Sequence, residues 1–235
     1  MIRRRVTNKK ASDDYVTDGL LINLDGYDAP VSSKWKSRVN SYTFDSSNIT
    51  YDSTNHKYNF STYGTVSNQN INIGGNIITL QLVDDGTIYN NTSLAILFEL
   101  SSNFNNYANS LIVDISEYFT RGLVAANRNT IHGYESAKWN NCLANGKAQY
   151  TFVLGSNIFI LYVNGALKTI YENYTNDNGY SSLANYGSYP LYFGGRAQNS
   201  YVTKMGCHAM RMYNKQLSES EIAANLVIDK QRFNF

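Results

Sequence analysis

Turn-forming residues interrupt this chain at intervals of roughly 8–12 residues, and the segments between them are short, apolar and rich in β-branched and aromatic side chains. Such punctuation leaves no room for a helical core and predicts an antiparallel all-β sandwich. The strand segments run from "GLLINLDGYDA" (19–29) through "HKYNFSTYGTV", "NIITLQLVDDG", "SLAILFELSSN", "SLIVDISEYF" and "FTRGLVAANRN". They continue with "AQYTFVLGSNIFILYVNGALKTIYENY", "PLYFGGRA" and "CHAMRMYN". Asn164-Gly165 inside the long segment favours a type I′ hairpin turn. The segments 93–103 and 110–119 read as a second hairpin pair.

Composition agrees. The chain has 235 residues, 43% hydrophobic, with 20 Tyr and, counted along the chain, 31 Asn. Tyr suits a pleated, half-buried surface and Asn suits turns, so many strands joined by many loops are expected. A codon bias toward Asn and Tyr is the other source of such an excess. Two prolines and 16% charge argue against a Pro-rich linker or a charged tail. No repeat and no shift of composition marks a second domain.

The net charge of +2 is unevenly placed. Arg3, Arg4, Arg5, Lys9 and Lys10 stand in the first twelve residues without an acid; the remaining chain has 15 basic residues against 18 acidic ones. This predicts a basic N-terminal arm over 1–16, a slightly acidic domain over 17–235, and no nucleic-acid role for that domain. No apolar stretch follows the arm's charges as a secretory signal requires, and no run is long enough for a membrane helix. The opening Met reads as the start of a whole frame. Two cysteines, Cys142 and Cys207, are too few for a disulfide scaffold and are expected as free thiols, a single bridge being the alternative.

The end of the chain reads differently. In "MRMYNKQLSESEIAANLVIDKQRF", Ser218 is an N-cap and Glu221 completes a capping box, with Leu217 and Ile222 as a hydrophobic staple. Ile222, Ala223, Leu226 and Val227 give an apolar stripe sufficient to dock a helix of about residues 219–229 but too short to make it independent.

Three segments together carry a resemblance: "IFILYVNGALKTI", "LYFGGRA" and "MGCHAMRMYNKQLSESEIAANLVIDKQRF". In order and spacing they resemble the laminin G-like domains of the concanavalin A-like lectin/glucanase superfamily, of the kind found in phage virion proteins. "DGLLINLDGYDA" followed by Trp35 is similar to the family's opening strand and loop tryptophan, which implies a packing role for Trp35. The resemblance implies a two-sheet jelly-roll sandwich in which the last strand pairs near the first and the helix packs across one end. Gly206 matches the family's glycine and Arg211-Met212-Tyr213-Asn214 its "R-I-Y-N". On that strand, period two places His208, Met210 and Met212 on one face and Cys207, Ala209, Arg211 and Tyr213 on the other. His208, where the family carries an aliphatic residue, is expected as a satisfied, half-buried histidine.

The glucanase branch implied by the resemblance carries paired carboxylates two or four residues apart on one strand, the arrangement retaining hydrolysis needs. Here the nearest are Asp114…Glu117 and the adjacent Asp84-Asp85. His56, His132 and His208 have no metal spacing, and no nucleophile elbow or phosphate loop is present. A non-catalytic module is therefore expected. Sugar recognition uses aromatic faces for the ring and Asn, Asp or Gln for hydroxyls. Trp139, Tyr180, Tyr186 and Tyr189, set among turn residues, are the candidates, with packing at the sandwich rims as the other role for each. Some laminin G-like domains bind calcium through loop acids; Asp25, Asp84, Asp85 and Asp177 are such acids here, but no Ca-loop pattern selects them and no cofactor is assigned.

These readings converge on a carbohydrate-binding virion protein, such as a decoration, fibre or tail-associated component, made in the host cytoplasm. Its partners would be a cell-surface glycan and other virion subunits held through Arg3, Arg4 and Arg5, with a homo-oligomer possible and no membrane contact. A purely structural assembly subunit, an extracellular bacterial protein and a glycoside hydrolase are the rival readings.

Overall fold

The computed structural model describes residues 14–46, 49–60, 70–72, 77–87, 96–100, 111–116, 122–123, 144–155, 158–172, 188–193 and 205–235. Its first strands are β1 (Leu20–Asp25), β2 (Lys34–Lys36), β3 (Thr43–Asp45), β4 (Thr50–Asp52), β5 (Lys57–Phe60), β6 (Asn70–Asn72) and β7 (Ile77–Asp84). Then come β8 (Ile96–Leu100), β9 (Leu111–Ser116), β10 (Gly122–Leu123), β11 (Ala148–Gly155), β12 (Ile158–Val163), β13 (Ala166–Glu172), β14 (Ser188–Phe193) and β15 (Met205–Tyr213). One helix, α1 (Glu219–Phe233), closes the chain. The architecture is the expected antiparallel two-sheet sandwich with a C-terminal helix. The larger sheet runs β13-β12-β11-β7-β15-β5-β4, and the smaller runs β10-β9-β8-β14-β6.

The expected hairpins form. β8 and β9 pair antiparallel, and β12 and β13 flank Asn164-Gly165. Both turn residues have positive φ, 52° and 74°, the conformation for which Asn and Gly carry the least steric penalty. The last strand pairs directly with the first: β15 holds β7 on one side, and β5 followed by β1 on the other.

Alternation along these central strands gives the larger sheet two unlike faces. One face presents Ile78, Leu80 and Leu82 of β7, Tyr150 and Phe152 of β11, Met210 and Met212 of β15, and Ile22 and Leu24 of β1, all at 0% exposure. The other presents Thr79, Gln81, Gln149, Thr151, Asn23 and Arg211, also buried.

Helix α1 lies along this polar face, not across one end of the sandwich. Its start matches the sequence reading. Glu221 N donates to Ser218 Oγ (3.3 Å), and Ser218 N donates to Glu221 Oε2 (2.8 Å). Leu217 and Ile222 share a buried cluster with Val153, Ile160, Tyr162 and Tyr213. The buried stripe, however, is Ile222, Asn225, Leu226, Asp229 and Phe233, while Ala223 and Val227 are exposed. The polar face beneath the helix accepts Asn225 and Asp229, so the stripe turns away from the all-apolar choice. The helix also runs four residues past 229, because Phe233 packs on Val83 and Ala209 and Asn234 caps the end in the left-handed conformation.

Strict alternation fails once on β15. Cys207 pairs with Asp84 and Ala209 with Val83, so an irregularity absorbs His208. Cys207 thereby joins Met210 and Met212, and His208 lies on the helix side against Phe233, with ring centroids 5.2 Å apart. The face assignment expected from period two is reversed for these two residues.

Candidate functional site

The polar layer under α1 explains why the helix docks where it does. Arg211 and Asp229, both at 0% side-chain exposure, form an ion pair. Asp229 also accepts hydrogen bonds from Tyr15 Oη (2.9 Å) and Gln149 Nε2 (2.6 Å). The Arg211 guanidinium stands 4.0 Å from the Tyr15 ring centroid, and burial raises the Tyr15 phenol above its ordinary range. Asn225 Nδ2 donates to Gln81 Oε1 (2.8 Å) and Tyr213 Oη (2.9 Å), and its Oδ1 accepts from Val16 N (2.9 Å). Nearly closed to solvent, this layer is a clamp joining helix, sheet and the segment Tyr15–Val16.

The groups that reach the surface gather at one end of the larger sheet. There the β1–β2 connection, the β4–β5 turn, the end of β7, the starts of β11 and β15, and the last turn of α1 meet. Asp25, at 0% exposure, anchors the rim: its Oδ2 pairs with Arg38 Nη1 (2.8 Å) and Arg232 Nε (2.7 Å), and its Oδ1 accepts Tyr27 N (2.9 Å). Arg38 also grips Asp28 with two nitrogens, Nε at 2.6 Å and Nη2 at 2.9 Å, and this contact raises the Arg38 pKa.

Tyr27 stacks on His56 (centroids 3.9 Å apart, planes 18° apart) while Arg232 stands 4.6 Å from its centroid. With both contacts in place the ring remains 43% exposed. Trp35 is buried, as the resemblance implied: it stacks on Tyr58 at 3.9 Å and donates Nε1–H to Asp25 O (3.0 Å). Gly26 permits the close approach of these loops, since a Cβ there would collide with the carbonyl oxygens of His56 and His208.

Beside this group Lys57 pairs with Asp85 at 2.6 Å. Burial would raise Asp85, but the bonds from Lys57 and Thr87 outweigh it and hold the carboxyl below its usual range. Lys147 Nζ donates to Phe233 O (2.7 Å), tying β11 to the helix end, and burial lowers its pKa. The rim thus offers an exposed aromatic ring, a partly exposed Arg38–Asp28 fork and further hydrogen-bonding groups, all on supports that are themselves paired. That chemistry suits polyhydroxylated ligands.

Of the acids considered for calcium, Asp25 and Asp85 are held by cations, Asp84 Oδ2 accepts Gly86 N (2.8 Å), and Asp177 lies outside the described residues. Among the described residues no group of three or more His, Cys, Asp or Glu is placed to hold a metal, and no helix is long and apolar enough to cross a membrane. Cys207 is a free, buried thiol whose pKa burial raises; Cys142 lies outside the described residues. His208 is 2% exposed, more buried than expected, and one ring nitrogen meets His56 O at 3.1 Å.

The aromatic candidates Trp139, Tyr180 and Tyr186 and the arm residues Arg3, Arg4 and Arg5 fall outside the described residues. Tyr189 is the second residue of β14, opposite Ile71. Sequence reasoning missed Tyr27, Asp28, Arg38, His56 and Arg232. The turn in "LDGYDAP" was a signal for the first two, but nothing along the chain announces that Arg38 and Arg232 converge on Asp25 from either end.

No protein-family model matches the chain, and no curated protein does. Solved structures do match. Trypanosoma rangeli sialidase superposes with a TM-score of 0.58 and 12% identity, over 92% of this chain and 33% of that one. The same sialidase in complex with sialic acid gives 0.57 and 14%, over 91% and 33%. The binding domain of botulinum neurotoxin DC in complex with SialylT gives 0.54 and 13%, over 89% and 51%. This chain therefore spans about a third of the sialidase chains and about half of the toxin chain. At such identities the likeness is one of fold, a β-sandwich.

Proposed function

We propose that this chain is a non-catalytic carbohydrate-binding module of the laminin G-like kind, acting on a virion as a decoration, fibre or tail-associated component. The observation that carries the sugar-binding part is the rim, where rigidly supported Tyr27, His56, Arg38 and Asp28 stand together at the surface of the sandwich. The same fold occurs in a toxin binding domain solved with SialylT, and in a sialidase solved with sialic acid. The non-catalytic part is supported by the acids of the rim: Asp25, Asp28 and Asp85 are each engaged by an arginine or lysine. Their carboxylates serve as structural ion-pair partners instead of facing a ligand as the pair of carboxyl groups that glycoside hydrolysis uses. The virion part is supported by the cluster of five positive charges in residues 1–12 beside a slightly acidic domain, an arm suited to an acidic neighbouring subunit.

Glycan-array binding followed by calorimetry tests the reading. Saturable binding is expected, weakened at least tenfold by Tyr27→Ala or by alanine at Trp139, Tyr180, Tyr186 or Tyr189. Absence of binding across neutral and acidic glycans would overturn it in favour of a structural assembly subunit. Sugar release abolished by a single carboxylate substitution would overturn the non-catalytic part.

A further inference from the structure

We propose that His208 is an acid-released latch: protonation of its second ring nitrogen undocks the last turn of α1 and loosens the side of the rim that Tyr27 and Arg232 form. The geometry sets the proton inventory. The His56 carbonyl can only accept, so the 3.1 Å contact places the His208 proton on Nδ1 and leaves Nε2 as a bare lone pair. Nε2 is buried and, among the described residues, has no hydrogen-bond partner. A proton added there finds no acceptor, in a residue 2% exposed and covered by Phe233.

The charged and titratable neighbours do not rescue it. His56 comes from the β4–β5 turn and offers its carbonyl, already used by Nδ1. Lys57 of β5 and Lys147 before β11 oppose a new cation. Asp85 after β7 favours one but is bonded to Lys57 and Thr87. Asp25 of β1 is paired with Arg38 and Arg232, the latter on α1 itself. Burial is the largest effect, and the ring titrates at about 4 instead of 6.5.

The cheapest relief is local. His208 sits under Phe233, which also lies 5.9 Å from Tyr27, and only the last helical turn has to lift to wet the ring. The folded form binds the proton less well than an opened one, so stability of the closed turn is complete above pH 6.5 and falls as pH drops toward 4. From those two values the opening equilibrium rises about thirtyfold between pH 8 and pH 5, and on the order of a hundredfold near pH 4. The latch stands whether or not the rim binds sugar.

Hydrogen exchange on the intact chain, corrected for intrinsic rates, tests it. The amides of Asn234 and Phe235, both bonded to Lys230 O, and of Gly26, bonded to His208 O, should gain about thirtyfold in opening at pH 5. The amide of Ile222 at the helix start should not move. His208→Asn keeps a donor for His56 O and cannot titrate, so its profile should be flat. An identical rise in that variant, a rise at Ile222 equal to that at Phe235, or no rise at all overturns the latch. Should the variant fail to fold, the His208 ring resonance of the unmodified chain decides: titration near 4 supports the latch, and titration near 6.5 overturns it.

Discussion

The two faces of the larger sheet are equally buried yet held by different physics. On the inner face, Leu80, Leu82, Phe152, Met210 and Met212 lose contact with water and need only a good fit. On the outer face, Gln81, Gln149, Thr151 and Arg211 lose water too and must recover polar partners, Thr151 from its sheet neighbours Gln81 and Gln149 and the other three from what covers them. The cover is therefore specified chemically: Asp229, Asn225 and Tyr15 match the polar groups beneath them. An apolar helix of the same shape would strand Arg211 and Gln81. The contrast teaches that the inner face tolerates exchange by volume, whereas the outer face is sensitive to a single missing partner.

The largest test of that contrast is Asp229→Ala. It leaves Arg211 charged and buried without a counter-ion, and should cost about 3–5 kcal/mol in chemical denaturation. The paired change Arg211→Met with Asp229→Leu should recover most of this, since an apolar pair of similar volume needs no partner. A loss under about 1 kcal/mol for Asp229→Ala would mean that water already reaches the layer and would break the comparison.

Next in size is Leu80→Ala on the inner face, expected to cost about 2–4 kcal/mol through lost transfer energy and a cavity. The change should leave the docking of α1 intact, as read by exchange at Ile222. Two smaller changes sharpen the outer face. Ser218→Ala removes the N-cap, and Tyr15→Phe removes one bond to Asp229 while keeping the ring over Arg211; each should cost about 1 kcal/mol in thermal unfolding. If Tyr15→Phe were silent, Asp229 would be satisfied by Gln149 and Arg211 alone. Smallest is Met212→Leu, a swap of similar volume expected below about 1.5 kcal/mol. A larger loss there would show that the inner face is as exacting as the outer.

Much of this was legible along the chain because it is local. Turn spacing, alternation and the Asn164-Gly165 pair predict the strands and hairpins, and Ser218 with Glu221 predicts the helix start, since each depends on residues a few positions apart. The helix length was not legible: Phe233 belongs to the stripe only because Val83 and Ala209 lie beneath it. Nor was the place of His208, which an irregularity in strand pairing turned to the opposite face. At the rim, Tyr27 and Asp28 could be suspected from their turn, but Arg38, His56 and Arg232 look like ordinary surface residues.

What the sequence by itself determined is therefore the class of fold, a strand-rich sandwich closed by one capped helix, because periodicity and capping are short-range properties of the chain. Only the tertiary structure decided which face the helix covers, which charges are paired and where the rim lies. Arg211 meets Asp229 across 18 residues, and Gln81 meets Asn225 across 144. Such partners are selected by the cost of burying an unsatisfied polar group, and that cost exists only once the chain has folded around it.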